Sequence, residues 1–430
     1  MFAKPESSSV LFRWLLMAMV LGGLLSLGRS VMKEFGPTGG IDFHSYWYYG
    51  HFVRQGDNPY AAFVAHQELQ VPIQYLDGVT TEKLPVAQPG LAATPANTAP
   101  IVLLLSGFSW LSWPTAKTLW FLINLVIAFC LPWLILRLLP EATLKRTQGV
   151  FICLAFYIFS GTRVAVWTGQ TTLLVFLLMV GALLLLNKHR LVAGILLGFA
   201  LSKYSLALPI FLFVLYQRKY WVAAISLIVQ ALGLLMVAYL GHESPFLVLN
   251  EYFLIFGEHA SLQGENCETC IHLSNLLPQT NMLIDLSIAI GVIIITFGGL
   301  WMGLAQILKP SNSASLSRFI EFHILTIFAL LSLLVAYHRV YDIVIAIVFV
   351  VLLVWGLAKP GNWNIAEATR TGIIIFLGLF MTIMVLPGEI GELILPRQFV
   401  ATWLQIFNIS MTLGLVFALG VSLSLLRKVR

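Results

Sequence analysis

Long apolar runs broken by short polar turns recur from one end of this chain to the other. Runs of about 20 apolar residues are long enough to cross a hydrocarbon core roughly 30 Å thick. An unpaired backbone group is costly in lipid, so uninterrupted runs of this kind form helices, whereas a barrel would need alternating positions. The pattern predicts crossings at roughly residues 10–29, 115–138, 148–160, 165–186, 190–202, 205–217, 220–240, 282–307, 318–337, 340–358, 371–386 and 398–425. Residues 191–216 read either as one long tilted helix or as two short ones meeting at Ser202 and Lys203. The run "PIVLLLSGFSWLSWP", bounded by Pro100 and Pro114, is too short to span comfortably and reads as a re-entrant or interfacial helix.

The polar positions between the runs set an orientation. With the N-terminus in the cytoplasm, the inside turns receive Arg137, Lys145 and Arg146, then Lys188 and Arg190, Arg218 and Lys219, Lys309 and Arg318, Lys359 and Arg370, and the terminal "RKVR". That distribution satisfies the positive-inside rule with both termini inside, and it favours two short helices between Arg190 and Arg218. Lys4 and Arg13 precede an apolar stretch with no small-residue cleavage site after it, which reads as an uncleaved first helix. The expectation is an all-α polytopic protein of about 12 crossings forming a single domain over residues 1–430. Its two long external segments are 31–99, containing short amphipathic helices, and 241–281.

Composition agrees: 59% of the 430 residues are hydrophobic and 10% charged, against about a quarter charged in a soluble domain. The net charge of +6 sits in the turns, so it reports topology and gives no reason to expect a nucleic-acid partner. No phosphate-cradling glycine loop or nucleotide-binding fingerprint is present, which argues against an ATP-driven pump.

Candidate chemistry collects on one predicted side of the membrane. "GIDFHSYWYYGHFVRQGDNPY", just after the first crossing, sets Asp42 among Phe43, His44, Tyr46 and Trp47. Two readings fit: an aromatic belt at headgroup depth with a solvated Asp42, or a carboxylate tuned by apolar rings to take a proton. "SGTRVAVWTGQ" places Arg163 and Gln170 at a turn with Trp167, where a cation and free N–H groups can hold an anion or the Arg can snorkel to a headgroup. Lys203 falls near membrane depth, matching either a phosphate partner or snorkelling. In "AYHRVYD", His338 and Asp342 share a face at i, i+4 beside Arg339 and Tyr341, so Asp342 can orient the imidazole, pair with Arg339, or simply cap the helix. Ionisable groups at membrane depth tend to line substrate paths. Cys267 and Cys270 form a C-x-x-C in an external segment with His259 and His272 near, which reads as a disulfide or, with more ligands, a zinc site; Cys130 and Cys153 lie in apolar spans as packing.

Four stretches, in chain order, resemble the polyprenyl-phosphate-sugar-dependent glycosyltransferases of family 87 in the multi-spanning GT-C superfamily: "DFHSYW" with "GDNPY", "GQTTLLVFLL", "AGILLGFALSKYSLALPIFLFVLYQRKYW" and "HRVYDIVI". The resemblance implies an inverting, mannosyltransferase-like enzyme of GT-C fold in a bacterial plasma membrane, its site facing outward. It would take mannose or a pentose from a polyprenyl-phosphate donor and pass it to a lipid or glycan acceptor. Asp42 would be the general base and His338 would sit near the donor phosphate or assist the acceptor. Arg163 and Lys203 would neutralise phosphate charge, with His44, Trp47, Tyr60, Gln170, Arg339, Tyr341 and Asp342 lining the substrate. No cofactor or metal is implied, and the letters offer no carboxylate cage for one. Where relatives carry an aromatic-Pro-Pro element, this chain reads "NTAPIV". A transporter or lipid flippase would also place charge and broken helices in the membrane, but it predicts an internal repeat that is not visible here; a non-catalytic scaffold would not need the polar hairpins.

Overall fold

The computed structural model describes residues 28–35, 39–65, 95–139, 144–266, 270–271, 290–296, 314–335, 338–358, 365–385 and 397–429, with isolated positions at Met17, Leu21, Leu25, Gly298 and Trp363. Helix α1 (Ile41–Gln55) is bracketed by Gly40 and Gly56, whose φ values of 69° and 85° favour glycine. Asn58 caps α2 (Pro59–Val64) by accepting from the Tyr60 N–H. Helices α3 (Ala99–Ser106) and α4 (Trp113–Leu136) follow, joined by a 3-10 turn at Gly107–Trp110. Helices α5 (Arg146–Ile158) and α6 (Ser160–Thr168) bend by 51° at Phe159, which adopts an extended backbone. The chain continues as α7 (Thr172–Leu185), α8 (Arg190–Ala200), α9 (Tyr204–Tyr216), α10 (Tyr220–Leu240) and α11 (Pro245–Asn266). The last four are α12 (Ala314–Val335), α13 (Ile347–Ala358), α14 (Glu367–Val385) and α15 (Arg397–Leu426).

Among the described residues, seven helical stretches are long and apolar enough to cross a membrane, and an eighth if α5 and α6 count as one bent span. Six of the seven coincide with the expected crossings at 115–138, 220–240, 318–337, 340–358, 371–386 and 398–425, the seventh, Arg190–Tyr216, covers those at 190–202 and 205–217, and the bent pair covers 148–160; the crossing expected at 165–186 is a shorter helix, Thr172–Leu185, and those at 10–29 and 282–307 lie largely outside the described residues. Two expectations change. The turn expected around Arg163 is a helix, α6, set between the break at Phe159 and a left-handed Gly169 with φ 71°. The segment from 241, expected as an external loop, is helical over Pro245–Asn266.

The described chain forms two compact units, each assembled from separate segments. One, here the α1 unit, comprises Gly36–Phe129 and Ala165–Cys270. The other, the α12 unit, comprises Met1–Phe35, Cys130–Val164 and Ile271–Arg430.

In the α1 unit, α1 is not an amphipathic interfacial helix. Every residue from Asp42 to Val53 is buried by protein. Two of its polar side chains tie it to the chain beyond α3: the Trp47 indole donates to the Leu111 carbonyl at 2.9 Å, and Arg54 donates to the Ser109 carbonyl at 2.9 Å while lying over the Trp110 ring. Gly50 lets α1 touch α3 directly, because a Cβ there would stand 2.9 Å from Ser106 Cα. A solvated aromatic belt is therefore not what these letters build.

Residues 190–216, one stretch by length and composition, are two legs that reverse. A Cβ at Gly194 would meet Ile225, and one at Gly198 would meet Val229, so α8 and α10 advance side by side in the same direction. Small residues allow this close parallel approach. Because α10 starts beside the start of α8, α9 must carry the chain back, and Lys203 leaves helical backbone at the bend with φ −110° and ψ 71°. The legs have 11 and 13 residues, about 16 and 20 Å at 1.5 Å per residue. Each is shorter than a hydrocarbon core of about 30 Å, so the bend lies within apolar surroundings.

The α12 unit is built around Val340–Ala358, 83% of whose apolar window is buried, against 22% for α14. The α14 side chains Ile374, Ile375 and Leu379 instead point outward, as lipid-facing residues do. His323 on α12 meets the Ser422 carbonyl of α15 at 2.8 Å.

Candidate active site

The start of α1 is seated on the turn after α6. The Gly40 N–H donates to the Trp167 carbonyl at 2.9 Å, and the Trp120 indole donates to the Gly169 carbonyl at 2.7 Å. A Cβ at Gly169 would stand 2.8 Å from Phe43 Cβ, so only a glycine lets the two segments close. Asp42 occupies the first turn of α1, where the helix dipole favours negative charge, and is 7% exposed. The stem of Lys117 lies over Gly40, with its Cγ 3.1 Å from where a Cβ would be. One turn beyond Asp42, the Tyr46 hydroxyl lies 3.3 Å from the Thr171 hydroxyl.

From Thr171 a layer of polar side chains continues through otherwise apolar helices. Lys203 Nζ donates to Thr172 Oγ1 at 2.6 Å, placing the ammonium at the start of α7. Thr98 Oγ1 donates to Gln230 Oε1 at 2.6 Å, and Gln230 Nε2 donates to the Gly198 carbonyl at 2.6 Å. Asn97 donates to the Tyr46 hydroxyl, and its own carbonyl accepts from the Tyr60 hydroxyl at 2.9 Å. Asn97, Thr98, Gln170, Lys203 and Gln230 are each partly exposed, so the layer presents hydrogen-bonding groups to whatever borders it.

His44, Trp47 and Tyr60 are held in the core of this unit. Tyr60 is 1% exposed, and the His44 ring meets Trp113 edge-on at 4.8 Å between ring centres. Both ring nitrogens of His44, and both of His51, have no hydrogen-bond partner among the described residues. Burial first, then the neighbouring His51, lowers the His44 pKa to about 4; burial, then Arg54, does the same for His51. Folding therefore keeps both rings neutral. Their contribution to stability is complete above the unfolded value near 6.5 and is lost as the pH falls from there toward about 4. The melting temperature in detergent should drop across that window, and His44→Phe, which cannot take up a proton, should flatten the drop. An unchanged slope in that variant would show that acid acts elsewhere.

The remaining candidates belong to the α12 unit. His338 is fully buried, with Nδ1 3.0 Å from Asp342 Oδ2 and Nε2 2.9 Å from the Ser332 carbonyl. The His338–Asp342 pair pins the turn at Val340–Ala346, leaving Arg339 and Tyr341 partly exposed. Gly161 at the start of α6 packs straight onto that turn, since a Cβ would be 2.8 Å from the Val344 N and 2.9 Å from the Val340 carbonyl. Ser160 donates to the Met384 carbonyl at 2.9 Å and Arg163 Nη2 to the Val385 carbonyl at 3.3 Å, tying α6 to the end of α14.

Asp42, Gln170 and Lys203 thus lie in one unit, and His338, Arg339, Tyr341 and Asp342 in the other. The structure adds Asn97, Thr98, Lys117, Thr171, Thr172 and Gln230, which sequence reasoning missed. Lys117 and Gln230 sit inside apolar helices, and their isolation there was the available signal. Cys267 lies outside the described residues, so its pairing with Cys270 is not addressed; Cys130 and Cys153 are free thiols. Among the described residues, no three His, Cys, Asp or Glu side chains gather closely enough to hold a metal.

The family model described as Glycosyltransferase family 87 matches residues 97–387. The match spans Arg163, Gln170, Lys203, Gln230 and His338–Asp342 and begins downstream of Asp42. No curated protein and no solved structure matches the chain.

Proposed function

The chain belongs to glycosyltransferase family 87 and is an integral membrane glycosyltransferase, and from that premise we propose that it takes its sugar from a polyprenyl-phosphate donor and passes it to a lipid or glycan acceptor with inversion. The observation that supports this reading is a buried carboxylate, Asp42, one turn before Tyr46, whose hydroxyl meets Thr171, while the neighbouring Thr172 hydroxyl takes the Lys203 ammonium. A soluble nucleotide sugar needs no cation at the bend of two short membrane legs. A phosphate on a lipid tail does, because its charge enters at membrane depth with the chain that anchors it.

The reaction needs one base and charge neutralisation. The acceptor hydroxyl oxygen attacks the anomeric carbon from the face opposite the phosphate. Its proton passes to the Asp42 carboxylate, the C–O bond to phosphate breaks, and polyprenyl phosphate leaves with the electron pair. Lys203 and the N–H groups at the start of α7 offset the charge that grows on the leaving oxygen. In the α12 unit, His338 and Asp342 pin the turn that carries Arg339 and Tyr341. Arg163 supports that segment through the end of α14. The sugar in this reading is mannose or a pentose, and the site faces outward from a bacterial plasma membrane; the positive-inside distribution supports the outward face.

The stereochemistry tests the single-displacement scheme. NMR of the first product formed from a donor of known anomeric configuration should show the opposite configuration at the transferred sugar. Retention would contradict a mechanism in which Asp42 is a base and the acceptor is the nucleophile.

A further inference from the structure

We infer that Gln230 is a positioning residue for the Lys203 ammonium, fixing the depth of the bend at Leu201–Lys203 through Thr98 and Gly198. The inference rests on the reading that Lys203 meets the donor phosphate. Gln230 lies at the middle of α10, a 21-residue apolar helix in which an amide is costly unless its donors and acceptor are all matched. Its acceptor takes the Thr98 hydroxyl at 2.6 Å. Its amide nitrogen donates to the Gly198 carbonyl at 2.6 Å and lies 3.5 Å from Ser202 Oγ. The Thr98 N–H donates to the Ser202 carbonyl at 3.2 Å, closing a ring of contacts around the residue before Lys203.

The geometry leaves this ring little room to slide. Gly198 lacks the side chain that would hold α10 away, a Cβ there standing 2.5 Å from Val229. Gly233, one turn past Gln230, receives the Pro100 ring, so the segment carrying Thr98 is seated on the same face of α10. The bend is a single 3-10 turn, Leu201–Lys203, whose backbone leaves helical values at Lys203, and one such turn is too short to set its own depth. The contacts from α10 and Thr98 supply what the local backbone lacks, and Asn97, the next residue back, carries the linkage on to Tyr46 of α1.

A double-mutant cycle on the full-length protein, with initial rates at varied polyprenyl-phosphate sugar, tests this. Lys203→Met should lower kcat/KM on the order of a hundredfold, and Gln230→Met, which keeps length but not the amide, on the order of tenfold. The double variant should be no worse than Lys203→Met alone, because Gln230 acts only through Lys203. Thr98→Val should repeat the Gln230 defect and Thr98→Ser should restore it, and these variants keep the test open if Gln230→Met fails to fold. Additive losses, or a silent Gln230→Met and Thr98→Val, would overturn the positioning role while leaving the phosphate reading intact. A silent Lys203→Met would instead overturn the phosphate reading, and the positioning role with it.

Discussion

Replacing Asp42 by Asn is expected to slow sugar transfer by about two to four orders of magnitude, the usual range for loss of a general base. The substitution is nearly isosteric, and Asp42 sits at the first turn of a helix whose other anchors do not involve its carboxylate: the Gly40 N–H on the Trp167 carbonyl, and the Tyr46 hydroxyl on Thr171. The helix should therefore form and the donor should still bind, so the loss belongs in kcat more than in KM. An amide can accept a hydrogen bond from the acceptor hydroxyl but cannot take its proton. Unchanged transfer would move the base elsewhere. His338 is a poor replacement, since both of its ring nitrogens already face acceptors, and Asp57 is solvent-exposed at the end of α1.

Gly169→Ala should be the most damaging small substitution in the α1 unit. At φ 71°, a side chain costs about 1–2 kcal/mol for the left-handed backbone alone. Its Cβ would stand 2.8 Å from Phe43 Cβ and 3.3 Å from Trp120 Cδ1, and forcing apart a packed contact costs about 1–3 kcal/mol more. On the order of 3 kcal/mol is a large share of the stability of an ordinary domain. Because the clash falls on the first turn of α1, Asp42 would shift even where the chain still folds. A thermal-unfolding series in detergent, read beside the transfer rate, should show both quantities fall. Full stability and activity in Gly169→Ala would mean that α1 is not seated on this turn.

How much of this was legible in the letters depends on what each feature draws on. Apolar length is a local property, and most crossings from Trp113 to Leu426 follow from it directly. The two legs at 190–216 were visible as charge, because Arg190 and Arg218 both ask for the cytoplasm, and the parallel contacts of Gly194 and Gly198 give that reversal its geometry. The burial of α1 was not legible. "DFHSYWYYGHF" describes an aromatic belt and a packed core equally well, and only the partners of Trp47, Arg54 and Tyr46, each more than 50 positions away, decide between them. The same holds for "NTAP": Asn97 and Thr98 look like loop residues until Tyr46 and Gln230 are placed beside them. His338 and Asp342, at i, i+4, were legible as a pair, but the Ser332 carbonyl that occupies the second ring nitrogen was not.

The class of donor is the centre of the account, and one measurement addresses it most directly. Purified protein in lipid vesicles, given a membrane lipid extract as acceptor, is supplied in parallel with radiolabelled polyprenyl-phosphate sugars and with the corresponding nucleotide sugars. Label should move to acceptor from a polyprenyl-phosphate mannose or pentose, with release of polyprenyl phosphate, and should not move from the nucleotide sugars. Transfer from a nucleotide sugar without any polyprenyl phosphate present, or no transfer from any lipid-linked donor, would contradict it.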